Sequence, residues 1–393
     1  MKKLLLATAV SALAAGGAFA DEIKIGVLFG FTGPIESITP MMADGAELAM
    51  REVSESGAFL NGTTVTPVRA DDGCVDNALA QASAERLVTS DHVVAIVGAD
   101  CSGVTRAVLE NVAMANGIPM ISPSATSPGF SEFDSGGLFY RTAPSDARQG
   151  QVLADIIIGR GITSVAVTHT NNDYGLGFAN AFNAAFTAAG GTVTTTVPHE
   201  EAKGDYSAEV GALSAGGGDA LVVLGYVDGG GSVIRTAADL GAFDQFFIGD
   251  GMYGDALIEK VGDALNGTVG TIPWAVGEAA ERFTALTEAA GVNGASSYVA
   301  ESYDAAALLI LAAQAAGEAT PAGIAANVMN VANAPGEPIY SGELARGLEI
   351  LAAGGEIDYQ GATNVELINF GESAGSYREY VVQNGAFETV AYH

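Results

Sequence analysis

Four short segments carry the side chains best suited to chemistry. Gly98-Ala99-Asp100-Cys101-Ser102 sets a serine where a helix is about to start, and Ser122-Pro123-Ser124-Ala125-Thr126-Ser127-Pro128 follows with a run of hydroxyls. Hydroxyls and backbone N–H groups at a helix start can receive a carboxylate or a phosphate. The same residues also suit a plain helix cap and a polar turn. Asn171-Asn172-Asp173-Tyr174-Gly175 offers an aromatic face. Gly249-Asp250-Gly251-Met252 offers a carboxylate that can hold a cation, or simply occupy a glycine turn.

Patterns for catalysis fit their contexts poorly. Gly371-Glu372-Ser373-Ala374-Gly375 matches the G-x-S-x-G nucleophile elbow, which needs a strand before it, a helix after it, and then an acid and a histidine. The segment that follows, Tyr377–Val382, reads as a strand, and only His393 remains downstream. A polar hairpin turn is the better reading, with a serine esterase using Ser373 as its alternative. Gly229-Gly230-Gly231 lacks the G-x-G-x-x-G spacing and reads as a flexible turn leading into a helix. Two cysteines and histidines at 92, 169, 199 and 393 give no metal-ligand spacing, so neither a metal nor a cofactor is expected.

An alternation of strands and helices must position the four segments. Strands are predicted over Ile23–Phe29, Thr64–Ala70, Val93–Val97, Pro119–Ile121 and Leu138–Thr142. Between them the apolar spacing predicts a helix over Ala43–Ser56, a second capped by Asp76, and a third capped by Ser102 and ending at Gly117. The pattern then restarts, with helices at Asp146–Gly159, Gly177–Ala189, around Ser207–Leu213 and at Ser232–Leu240. These alternate with strands at Ser164–His169, Thr192–Val197, Ala220–Leu224 and Phe246–Ile248. Such βαβ units build parallel sheets, so the fold class is α/β with two doubly wound lobes breaking near Arg141 to Pro144. The last third is mostly helical (Glu278–Ala289, Ser297–Ala316, Pro321–Val331, Leu344–Ala353) and closes on strands at Val365–Asn369 and Tyr377–Val382. All four chemical segments then fall at C-terminal ends of strands, the edge where open α/β sheets bind ligands.

Composition narrows the classes of partner. The chain has 393 residues, 46 acidic against 16 basic, and a formal net charge of −30. A field of that sign repels phosphate backbones and anionic lipid, so neither nucleic acid nor a basic membrane contact is expected. Lys2 and Lys3, the apolar run Leu4–Leu13 and the ending Ala18-Phe19-Ala20 form a secretory signal over residues 1–20. Removing Lys2 and Lys3 with it takes the charge from −30 to −32. No later segment reads as a membrane span. Export to an oxidising compartment favours a disulfide between Cys74 and Cys101, the alternative being two buried thiols. Closing a loop of that length would contribute roughly 3–4 kcal/mol.

An ordered set of short motifs carries a resemblance over residues 21–393. It comprises Ile23-Lys24-Ile25-Gly26-Val27, Thr32-Gly33-Pro34, Asp44-Gly45-Ala46, Asp71-Asp72-Gly73-Cys74 and the Gly98–Ser102 segment. It continues through Ile121–Thr126, Asp173-Tyr174-Gly175-Leu176-Gly177, Gly204-Asp205-Tyr206-Ser207 and Asp358-Tyr359-Gln360-Gly361-Ala362. In this the chain resembles the branched-chain amino-acid-binding proteins of ABC uptake systems, the periplasmic leucine/isoleucine/valine type.

The resemblance implies a Venus-flytrap protein whose lobes are joined by crossovers near 141–144, 270–274 and 358–364. Residues 21–141 with 273–360 would form lobe 1, and 142–272 with 361–393 lobe 2. It pairs Cys74 with Cys101. It assigns Ser102, Ser124 and Thr126 to a ligand carboxylate, Asp250 to its ammonium, and Tyr174, Tyr226 and Tyr298 to closing over it. Ile38 stands where relatives often carry Tyr or Trp against the ligand side chain, which changes the pocket's shape. A zwitterion needs these residue types, because both its charges must be paired and hydrogen-bonded when desolvated. The implied protein is a periplasmic monomer that delivers an amino acid, branched-chain or otherwise apolar, to a membrane permease without entering the membrane itself. A ligand-sensing protein of the same fold, or one binding an amide, urea or an aromatic acid, is the alternative.

Overall fold

The computed structural model describes residues 21–393, and the secretory signal read over residues 1–20 lies outside the described residues. Strands β1 (Glu22–Phe29), β2 (Thr64–Asp71), β3 (Ala95–Gly98), β4 (Met120–Ser122) and β5 (Phe139–Pro144) are parallel and stand in the order 2-1-3-4-5. The second lobe repeats that order with β6 (Ser164–Thr170), β7 (Thr192–His199), β8 (Ala220–Leu224), β9 (Phe246–Ile248) and β10 (Val269–Pro273), arranged 7-6-8-9-10. β3, β4, β8 and β9 are buried along their whole lengths, as sheets covered by helices on both faces require. In each lobe the strand order reverses once, at β1/β3 and at β6/β8, and a crevice opens at the carboxyl ends of those strands.

Three segments link the lobes. β5 runs into the helix Asp146–Gly159, which packs in the second lobe, and β10 runs through Trp274 to the helix Glu278–Ala290 on the first. The chain then adds β11 (Glu337–Tyr340), β12 (Ile357–Gly361), β13 (Leu367–Ile368) and β14 (Glu372–Ser373) before β15 (Tyr377–Gln383) and β16 (Ala386–Tyr392). β13 and β14 extend the first sheet beside β5, whereas β15 and β16 extend the second beside β10. The last crossover therefore falls between Ser373 and Tyr377, which corrects the expected crossover at 358–364 and the assignment of 361–373 to lobe 2. The reason is Asp304. Its buried carboxylate accepts from Tyr359 Oη, Ala362 N, Thr363 N and Thr363 Oγ1, pinning that segment to the first lobe.

Other departures have local causes. The first helix is Thr39–Ser56, starting four residues early because Pro40 suits a first turn. Gly229-Gly230-Gly231 lies inside the helix Val227–Asp239 rather than in a turn, packed where a Cβ would meet Glu201 or Met252. The helix Val299–Ala316 is long and apolar enough to span a membrane by composition, and it is buried in the first lobe's core against Thr39–Ser56. Ser373 sits in the β13–β14 hairpin with no helix after it, and His393 belongs to the second sheet, where it bonds Glu379. That arrangement is not a nucleophile elbow.

Candidate functional site

The two switch points face each other across one cleft, lined from both lobes. The first lobe supplies Ile35, Ile38 and Met42 from the segment after β1, Asp100–Ser102 after β3, Ser124 after β4, and Tyr298. The second supplies Tyr174 after β6, Tyr226 after β8, and Asp250 with Gly251 after β9. Six expected polar or aromatic site residues (Ser102, Ser124, Asp250, Tyr174, Tyr226 and Tyr298) thus converge, together with Ile38. Thr126 does not line the cleft. It is fully buried, with its hydroxyl beside the Asp146 carboxyl and its carbonyl accepting from Asp146 N at 2.9 Å.

One end of the cleft presents donors. Cys101, with extended backbone, takes the N-cap place before the helix Ser102–Val108, so Ser102 opens that helix and does not cap it. The first N–H groups of any helix lack intrahelical acceptors. Ser102 Oγ accepts from Ser127 N at 3.2 Å, which leaves its own proton free to donate. Ser124 Oγ donates to Asp100 O at 3.1 Å. Cys101 is joined to Cys74, with Cα atoms 5.1 Å apart, so the loop is tied to the end of β2.

The other end is acidic. Asp250 is buried, and its carboxylate accepts from Tyr174 Oη at 2.9 Å and from Tyr298 Oη. Burial raises its pKa, while the two tyrosine hydroxyls work against the rise. Tyr174 stacks on Tyr226 with ring centroids 5.2 Å apart, forming a flat wall on the second lobe. Burial, and then the charge of Asp250, push the Tyr174 and Tyr298 phenols far above their ordinary range, so both remain hydrogen-bond donors. Tyr298 reaches across from the first lobe with left-handed backbone, φ +60°, a conformation costly for a non-glycine residue and kept where function needs it.

Sequence reasoning missed Asp146. It is fully buried at the start of the helix after the first crossover, and neither carboxyl oxygen has a hydrogen-bond partner. Burial first, and then Asp250's charge, hold its pKa well above the carboxylate range. Two acids line the cleft, Asp250 and, at the donor end, Asp100, whose carboxylate accepts from Gly30 N and Cys101 N. Asp146 lies outside the lining, and no Lys, Arg or His is among the described residues lining the cleft. Ile35 and Met42 were missed too, and with Ile38 they make an aliphatic wall. The lobes are closed on each other: Ser127 Oγ donates to Asp173 O at 3.0 Å and Arg106 lies 3.6 Å from the Asp173 carboxylate. Such a cleft suits a small ligand with an anionic end, a cationic end and an aliphatic flank.

Comparison with known proteins gives matching results. A family model for periplasmic binding proteins matches residues 22–346. A leucine-, isoleucine-, valine-, threonine- and alanine-binding protein of Pseudomonas aeruginosa is 29% identical over 331 residues, 83% of this chain and 87% of its own. A Leu/Ile/Val-binding protein homolog of Brucella melitensis is 31% identical over 274 residues, 69% of this chain and 72% of its own. Among solved structures, a leucine-binding protein of Thermotoga maritima superposes with a TM-score of 0.79 at 25% identity, covering 94% of this chain and 98% of that one.

Proposed function

The chain belongs to the periplasmic binding protein family, and on that premise we propose that it is the solute-binding component of an ABC uptake system, carrying an amino acid with an aliphatic side chain. The observation that carries the reading is the cleft's polarity: N–H and hydroxyl donors at one end, buried Asp250 at the other, and Ile35, Ile38 and Met42 along the side. The ligand's carboxylate is received by Ser102 and the first turn of its helix, where the helix dipole favours negative charge. Its ammonium ion-pairs with Asp250, and Asp146 adds negative potential behind it. Tyr174 and Tyr226 cover the ligand from the second lobe and Tyr298 from the first.

Residues 1–20 act as the export signal, the protein works as a periplasmic monomer, and Cys74–Cys101 is oxidised there. Ligand touching both lobes shifts the population towards the closed form, and that form is what a membrane permease recognises. The test is a thermal-shift panel of amino acids on the mature chain, followed by Asp250→Ala. An apolar amino acid should raise the melting temperature of the parent, and Asp250→Ala should lose binding at least about a hundredfold while keeping its circular dichroism spectrum. No shift with any amino acid, or retained affinity in Asp250→Ala, would overturn the reading.

A further inference from the structure

Behind the donor end of the cleft lies a guanidinium that does not line it. Arg141 is 1% exposed. Its Nη1 donates to Ala125 O at 3.0 Å and to Ser127 O at 2.8 Å, and its Nη2 to Ser131 Oγ at 2.9 Å and to Glu372. Glu372 is held in turn by Ser131 Oγ at 2.6 Å and Asn369 Nδ2 at 2.9 Å. Between the two forked carbonyls, Thr126 O is taken by Asp146 N. Three successive carbonyls of this loop are therefore engaged away from the cleft, where their negative ends would repel an anion. The peptide whose oxygen is Thr126 O donates its N–H, that of Ser127, to Ser102 Oγ, and Arg141 holds the carbonyls on either side of it, Ala125 O and Ser127 O. That bond uses Ser102 as an acceptor and aims its proton elsewhere.

We propose that Arg141 is the positioning residue for the anion-binding end of the cleft, acting on Ser102 by holding the 125–127 loop on both sides of the N–H that Ser102 accepts; this rests on the amino-acid reading above. Lysine at 141 keeps the charge beside Glu372 but, with three donors on one nitrogen, cannot make the four bonds of the planar guanidinium. The test is calorimetric titration of the mature chain with L-leucine and with L-leucinamide, which keeps the ammonium and side chain but lacks the carboxylate. Arg141→Lys should weaken leucine about tenfold or more and change leucinamide little, so the leucine-to-leucinamide affinity ratio collapses. If Arg141→Lys does not fold, Arg141→Met with Glu372→Met removes both buried charges together and should show the same collapse. A folded variant with the parent's ratio overturns the role of Arg141 while leaving the ligand reading intact. A parent that binds neither leucine nor any other amino acid overturns both.

Discussion

Asp250 gives its end of the cleft a negative sign with no basic side chain among the described lining residues, and Asp146 lies near it, partly offset by the charge of Arg141. Burial raises both carboxyls above their ordinary pKa, so the free protein holds protons there more readily than a surface acid does. A bound ammonium favours the ionised forms and lowers both values. Binding should therefore release protons, and affinity should fall as the pH is lowered through the free protein's raised values. Titrations in buffers of different ionisation enthalpy measure that release directly; proton uptake, or affinity that rises on acidification, would contradict the pairing. Asp250 was legible in the sequence because it follows a short strand inside a glycine turn. Asp146 was not, because after Ser145 it reads as an ordinary first-turn acid, and its nearness to Asp250 arises only when the first crossover lays its helix in the second lobe. Thr126 misled for a related reason: its place in the motif is right, but its hydroxyl sits on the far side of the loop, beside Asp146.

Two helices set where the first lobe's ligand-facing side chains stand. Thr39–Ser56 carries Met42 into the cleft and, one turn on, lays Gly45 against the backbone of Val299. A Cβ on Gly45 would lie 2.4 Å from Val299 O, next in the chain to the left-handed Tyr298. Backbone cannot yield as a side chain can, so Gly45→Ala should cost about 1–3 kcal/mol of stability and also weaken ligand binding by displacing Tyr298. Melting temperature and affinity measured on the same preparation check this; a loss in neither would show that the contact is looser than described. The main strands and helices were readable because each buries one apolar period. The elements overlooked were short or lay outside the βαβ rhythm: β10, the pair β11 and β12, the two-residue β14, and β16 with its largely exposed edge. Their partners lie far away in sequence, and no local pattern announces such pairings.

At the scale of the whole molecule, both lobes repeat one strand order, and the cleft forms because their two switch points meet. The alternation alone made two lobes readable. The route of the last crossover was not, because it depends on Asp304 gathering residues 359–363 and on Arg141 holding Glu372, contacts between segments far apart in the chain. The formal charge of −30 governs solvation and the partners the surface repels, and says nothing of the cleft, whose anion-binding end uses neutral donors and no basic side chain. In the proposed function the cleft reads both ends of a zwitterion at once. Calorimetric titration of the mature chain with leucine, with 4-methylpentanoate (which lacks the ammonium) and with 3-methylbutylamine (which lacks the carboxylate) tests this most directly. Leucine should bind one per chain, with each truncated analogue weaker by about a hundredfold or more. Equal binding of either analogue, or heat from neither leucine nor its relatives, would contradict it.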